Sequence, residues 1–193
     1  MKPIILLCGP PHCYSSMTAK FLLDHGAITG ECKKGILYPT YEDRFVANWV
    51  KKGRIQALRT YLNKMPADKT IIFKVGGLSF AVKRFLKATD RYVKIVMLIR
   101  NPRDVSMSSM EKWGGNFIQY FNRYCSHYDA LLNLDVPFMP FITERIQYDG
   151  WQLLAFCELY RTPYKYRKLK PREFNLIHHR CINFFFKHLG KLL

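Results

Sequence analysis

The sequence predicts an α/β fold, a doubly wound and mainly parallel sheet with helices on both faces, and three observations lead there. Residues 1 to 112 alternate short β-rich runs with helical patterns, as strands joined by crossover helices do. The run Ile4 to Cys8 is apolar without a break, which suits a strand buried on both faces. Three strand–loop–helix units fit within those residues. The composition permits a core: 49% of residues are hydrophobic, 15% aromatic and only 23% charged, which excludes a disordered polycation.

Taken in order, Gly9 to Tyr14 is a turn-rich loop after the first strand. Ser15 or Ser16 can N-cap a helix that runs through Ala19, Phe21, Leu22 and Leu23 to Gly26, a suitable C′ residue. Residues 27 to 41 read as irregular. A helical pattern over Glu42 to Met65 carries Phe45, Trp49, Ile55, Leu58 and Leu62 at helical spacing. Thr70 to Val75 is the second strand, and Leu78 to Thr89 leads back to a third, Tyr92 to Ile99. Asn101 then reads as an N-cap, Pro102 as the first helical residue, and Asp104 as a first-turn carboxylate. Past Trp113-Gly114-Gly115 come a helix from Asn116 to Asn133, a proline-broken stretch from Val136 to Thr143, and a helix from near Asp149 to Tyr160. The stretch Arg161 to Arg172 reads as an exposed loop, and Glu173 to Leu193 as a basic, aromatic helix. In such sheets ligands sit at the carboxyl ends of strands, so the loops at Gly9–Ser16, Lys74–Gly77 and Arg100–Arg103 are expected on one edge.

Thirty-one Lys and Arg against 14 Asp and Glu leave a formal charge of +17 on this folded surface, which concentrates anions without naming them. The six cysteines have neither disulfide nor zinc spacing, so they read as reduced thiols of a cytosolic protein, and no metal site is implied. Ile4 to Cys8 is too short for a signal-peptide core, and no stretch approaches the roughly 20 apolar residues of a membrane span.

The first loop, Gly9-Pro10-Pro11-His12-Cys13-Tyr14-Ser15-Ser16, lies between a buried strand and a helix, where backbone N–H groups and the helix dipole make an anion site. Against the Walker A spacing, Gly9 and Ser16 fall in place. Tyr14 stands for the second glycine and Ser15 for the lysine that reaches the β- and γ-phosphates. A triphosphate-driven kinase or ATPase is therefore disfavoured, whereas a smaller anion still fits. An ordinary serine-capped corner would also account for this loop alone.

The second signature is Val93 to Ser109. It ends a strand on Arg100 and places Ser108 eight residues on, giving a forked permanent cation and a hydroxyl that together suit a phosphate. Here the chain resembles the sulfotransferases that use 3′-phosphoadenosine 5′-phosphosulfate (PAPS), whose strand-ending Arg-Asn-Pro-x-Asp-Val run and following Ser hold the 3′-phosphate. Arg100 and Ser108 match both. His12-Cys13-Tyr14-Ser15-Ser16 stands where that family has its 5′-phosphosulfate loop. Leu22 to Glu31, Tyr38 to Asp43 and Phe73-Lys74 are similar to segments of a bacterial and phage-like branch. The departures are His12 for a permanently charged residue, Tyr14 for a glycine, and Val75-Gly76 for Asp-Pro.

The resemblance implies a single domain with a three-layer P-loop-like fold, 1–112 being the cofactor-binding core and 113–193 a mostly helical C-terminal part. It also implies PAPS as cofactor, adenosine 3′,5′-bisphosphate as product, and a small-molecule or glycan acceptor, an anionic one among the candidates. Pro11, His12, Cys13, Tyr14, Ser15 and Ser16 would hold the 5′-phosphosulfate, and Arg100 and Ser108 the 3′-phosphate. Lys74 would meet the bridging or transferring group, and Glu42 would be the base, with His12 as its alternate. Lys74 also reads as a solvated strand-end lysine, and Glu42 as a carboxylate favoured by a helix N-terminus. The rival class is a non-catalytic anion- or nucleic-acid-binding protein. Tyr160 to Lys170 supports it by interleaving cations with aromatics, though a solvated loop over the cofactor's edge has the same composition.

Overall fold

The computed structural model describes residues 1–32, 41–132 and 134–159. The readings of Gly35 to Thr40 and of everything from Tyr160 onward lie outside the described residues.

Four parallel strands form one sheet in the order β2-β1-β3-β4: β1 (Ile4–Cys8), β2 (Ile71–Lys74), β3 (Val93–Ile99) and β4 (Phe138–Ile142). β1 lies between β2 and β3, with Ile4 opposite both Ile71 and Val93. All five of its residues are buried, which explains the unbroken apolar run. Ile4, Leu6 and Cys8 face one core and Ile5 and Leu7 the other, the two-residue alternation of a strand.

The second core is covered by α1 (Ser15–Asp24) and α7 (Ile146–Phe156). The first is covered by α2 (Arg44–Lys52), α3 (Ile55–Asn63), α4 (Leu78–Leu86), α5 (Pro102–Trp113) and α6 (Phe117–Leu132). The result is the expected three-layer arrangement. Among the described residues no helix is long and apolar enough to cross a membrane.

Three local expectations are corrected. The helical pattern from Glu42 to Met65 is two helices, because Gly53 takes a left-handed φ of 70° and ends α2. The Val136–Thr143 stretch contains β4, a fourth strand. Its Pro140 is tolerated at the sheet edge, since Ile95 N bonds Pro137 O and the alternation turns the nitrogen of Pro140 away from β3. α7 begins at Ile146 instead of near Asp149, through a 3-10 turn at Thr143–Arg145.

α6 is tied to α4 through a buried polar contact. His127 Nδ1 lies 3.1 Å from Ser79 Oγ, and its ring stands 4.5 Å from that of Phe80. Burial, and secondarily Arg123, hold the imidazole down to a pKa of about 4. Between pH 6.5 and 4 the unfolded chain therefore takes up a proton that the folded chain refuses, and stability falls as pH falls, by roughly 3 kcal/mol in the limit. Urea unfolding at pH 7 and pH 4.5 should show this loss. A His127→Leu variant should lose less on acidification, and an equal loss would exclude His127 as the cause.

Candidate functional site

The parallel register puts the ends of β1, β2, β3 and β4 on one edge, with Leu7 opposite Lys74, Cys8 opposite Met97, and Ile99 opposite Ile142. The three loops expected to share an edge do so. The first turns sharply at Gly9, where a Cβ would stand 2.9 Å from Leu98 O and 3.0 Å from Cys13 Sγ. Only glycine fits that approach.

Beyond it, His12 has a φ of 62° and Tyr14 a φ of 55° with ψ 27°. Two left-handed side-chain-bearing residues within three positions are a costly backbone, of the kind that turns successive N–H groups into an anion-binding concavity. Tyr14, not Ser15 or Ser16, takes the cap position of α1, and no side chain caps the helix. The two serines are its first residues. The left-handed turn at Tyr14 delivers the chain directly into the helix, and the Tyr14 carbonyl accepts both Thr18 N at 3.0 Å and Thr18 Oγ1 at 3.2 Å. No carboxylate lies in the first turn, so the positive helix end faces the loop. Cys13 takes part in the loop differently from its neighbours. It is buried in the second core, and burial pushes its thiol up to about 12. Only its backbone can serve the loop.

Arg100 closes the loop from β3. Its Nη1 donates to His12 O at 2.8 Å, its Cζ lies 4.1 Å from the Tyr14 ring centre, and its Nε stands 3.6 Å from Glu144 Oε1. Tyr124 OH donates to the Arg100 carbonyl at 2.8 Å. Asn101 caps α5 by accepting Arg103 N at 2.9 Å, with Pro102 and Asp104 in the first turn as the sequence predicts. Ser108 lies partly buried on the same helix.

His12 has a buried Nε2 with no partner, and its ring stands 4.8 Å from Trp113. Burial, then Lys112 and Arg100, hold its pKa below the usual value, so it is neutral at pH 7. It cannot replace the permanent cation whose place it takes. It can accept a proton.

Glu42 and Lys74, 32 residues apart, meet at 3.2 Å between Oε1 and Nζ, both largely buried. Their meeting depends on Asp43, the buried N-cap of α2. Its Oδ1 accepts Val46 N at 2.6 Å and its Oδ2 accepts the Tyr61 hydroxyl. Burial raises the Asp43 carboxyl above its ordinary range, opposed by these bonds. Gly30 packs against that carboxyl and hydroxyl so closely that any Cβ would collide with both. Tyr41, just before Glu42, is itself left-handed at φ 54°. Lys74 and Arg100 both act electrostatically on Cys13, so both cations lie near the first loop.

Of the buried polar side-chain atoms without a hydrogen-bond partner among the described residues, His12 Nε2, Arg100 Nε and Ser106 Oγ belong to these two segments. Buried polar atoms are normally satisfied, so the concentration suits a site that receives a polar ligand. Sequence reasoning missed Trp113, Lys112, Glu144 and Tyr61. The Trp113-Gly114-Gly115 turn could have indicated the first. Glu144 carries no local signal, because it reaches Arg100 only through the unexpected β4.

No family model matches the chain, and no curated protein matches its sequence. Among solved structures it is similar to the sulfotransferase domain of the olefin synthase of Synechococcus PCC 7002. The TM-score is 0.57 and the identity 13%, over 88% of this chain and 77% of that one. It is also similar to a sugar kinase from Janibacter sp. HTCC2649, with a TM-score of 0.52 and 13% identity over 84% and 96% of the two chains. The likeness is one of fold: a P-loop-like α/β architecture that a sulfotransferase and a kinase share.

Replacing Arg100 by Ala removes a charge-assisted bond to the loop carbonyl, and should cost about 1.5–3 kcal/mol in chemical denaturation. Amide exchange at Tyr14 to Thr18 should accelerate more than the global loss explains. Exchange changing uniformly along the chain would show that Arg100 does not hold the loop.

Proposed function

We propose that the chain is a PAPS-dependent sulfotransferase acting on a hydroxyl or amine acceptor. One observation carries the reading: the strand-ending Arg100-Asn101-Pro102-Arg103-Asp104-Val105 run is bonded, through Arg100 Nη1 at 2.8 Å, to the backbone of the hydroxyl-rich first loop. A sulfotransferase domain with the same fold supports it.

When bound, PAPS supplies a sulfuryl group on a good bisphosphate leaving group. Arg100 and Ser108 would hold its 3′-phosphate, and the backbone of Pro11 to Ser16, with the hydroxyls of Ser15 and Ser16, its 5′-phosphosulfate. Arg100 Nε, which makes no hydrogen bond to the described residues, suits such a multiply charged ligand. Lys74, anchored by Glu42, would bring positive charge to the leaving oxygen as it develops negative charge. His12 is the better proton acceptor of the two candidates: its imidazole is neutral and its Nε2 unengaged, while Glu42 already orients Lys74. The acceptor would be a small molecule or a glycan.

A binding protein without turnover is the second reading. Tyr14 favours it, since its ring fills the space beside Arg100 where the family has a glycine.

Adenosine 3′,5′-bisphosphate should raise the melting temperature, by the equivalent of about 2.7 kcal/mol when it stands at a hundredfold its Kd. Arg100→Ala should abolish the shift, and magnesium ATP should produce little. No shift at millimolar bisphosphate would sink the reading. With labelled PAPS and an acceptor panel, His12→Ala and Lys74→Ala should each lower transfer about 10²-fold while bisphosphate binding persists. Binding without any transfer by the parent chain would select the second reading.

A further inference from the structure

Residues 44 to 94 carry thirteen Lys and Arg against two acids, Asp68 and Asp90. The fold gathers six of these cations. Arg84, from the last turn of α4, reaches the end of α2, with Nη2 3.3 Å from Val50 O and Cζ 5.7 Å from the Trp49 ring centre. Arg59 of α3 donates to Lys87 O at 3.0 Å, just past the end of α4. Lys51 and Lys52 in the last turn of α2, and Lys83 beside Arg84, complete one exposed face.

Cations complement a helix C-terminus by about 0.3–1 kcal/mol each, which explains why each helix end attracts them. It does not explain bringing two such ends and Arg59 together, where like charges repel. Among the described residues none of the six pairs with a carboxylate. The remaining residues contain one acid, Glu173, which is too little to neutralise the face wherever it lies.

We infer that this α2–α3–α4 face binds the phosphate backbone of double-stranded nucleic acid without reading its sequence. Three features favour that partner. The two arginines are held in place by backbone carbonyls, so they present charge at fixed positions. Neither α2 nor α3 exposes a large apolar or aromatic side chain, and the one that α4 exposes, Phe80, has its ring against His127 of α6, so the face offers no row of aromatics for a single strand and no apolar wedge for a membrane. The six cations lie on α3 or at and past the last turns of α2 and α4, and none of them is a residue of the anion site, although Val50 at the end of α2 lies near Gly77 on that edge. The inference does not rest on the sulfotransferase reading.

The test is fluorescence anisotropy of the full chain with labelled 20-base-pair DNA and RNA duplexes between 50 and 200 mM NaCl. Four to five phosphate contacts predict a slope of log K against log salt near about −4. The variant Lys51→Ala/Lys52→Ala/Lys83→Ala/Lys87→Ala changes only exposed side chains. It should bind at least tenfold more weakly at 50 mM, with a slope shallower by about 3, and keep its melting temperature. The comparator Lys165→Ala/Lys168→Ala/Lys170→Ala should weaken binding less. A parent slope near zero overturns the inference, as does loss confined to the comparator, or binding to phosphatidylserine vesicles with none to either duplex. A bisphosphate shift retained by the fourfold variant keeps this outcome separate from that of the anion site.

Discussion

A guanidinium that is always charged and largely enclosed must find acceptors, and Arg100 finds its main one in the backbone of another segment, the His12 carbonyl 88 residues away. The bond matters because the loop it reaches is strained. His12 and Tyr14 both hold left-handed backbones, each costing on the order of 1–3 kcal/mol, and a short loop relaxes unless something over-determines it. Gly9 against Leu98 fixes one side, Cys13 buried in the core fixes the floor, and Arg100 with the Tyr14 ring fixes the top. Each fully buried side chain of β1 contributes about 1.5–3 kcal/mol by leaving water, so the sheet can carry this strain at its edge.

The same clamp sets the electrostatics. Burial of the imidazole, and then Lys112 and Arg100 beside it, make a further positive charge there unfavourable, so His12 stays neutral. The site thereby keeps two cations near the loop, Arg100 and Lys74, together with a neutral imidazole. A permanently charged residue at His12 would add attraction for an anion and remove that imidazole.

Features set by local pattern were legible in the sequence. The unbroken apolar run of β1, the Asn101-Pro102-Arg103-Asp104 helix start and Gly26 at the end of α1 each follow from chemistry within a few residues. What escaped depended on partners distant in sequence. Pro140 argues against a strand until one knows that β4 is an edge and that this nitrogen faces away from its neighbour. Gly53 is tolerable inside a helix by propensity, and only its left-handed φ reveals the break. At the site, Glu42 and Lys74 were nameable but their ion pair was not. That pair depends on Asp43 being buried under Tyr61 and on Gly30 leaving room for it. Cys13 reads as a loop residue in sequence, and the turn at Gly9 sends its thiol into the core.

The large positive charge divides by what surrounds it. At the amino edge of the sheet, cations are consumed by the chain itself: Arg91 binds the carbonyls of Lys2, Pro66 and Lys69, and Lys94 binds Phe156 O and Glu158. With Thr70 on Cys157 O, these bonds fasten the end of α7 at the edge opposite the first loop. Lys94 is largely enclosed, whereas Glu158 and the bonds that Arg91 makes lie at the surface, where salt reaches them. At the carboxyl edge, Arg100 and Lys74 are only partly compensated, by Glu144 and Glu42, which orients them while leaving net positive charge around the loop. On the α2–α3–α4 face no carboxylate among the described residues compensates the cations, and their mutual repulsion is a standing cost that counterions or a polyanion relieve. Raising ionic strength therefore acts on these populations unequally: it changes the exposed face more than the partly enclosed ion pairs of either edge.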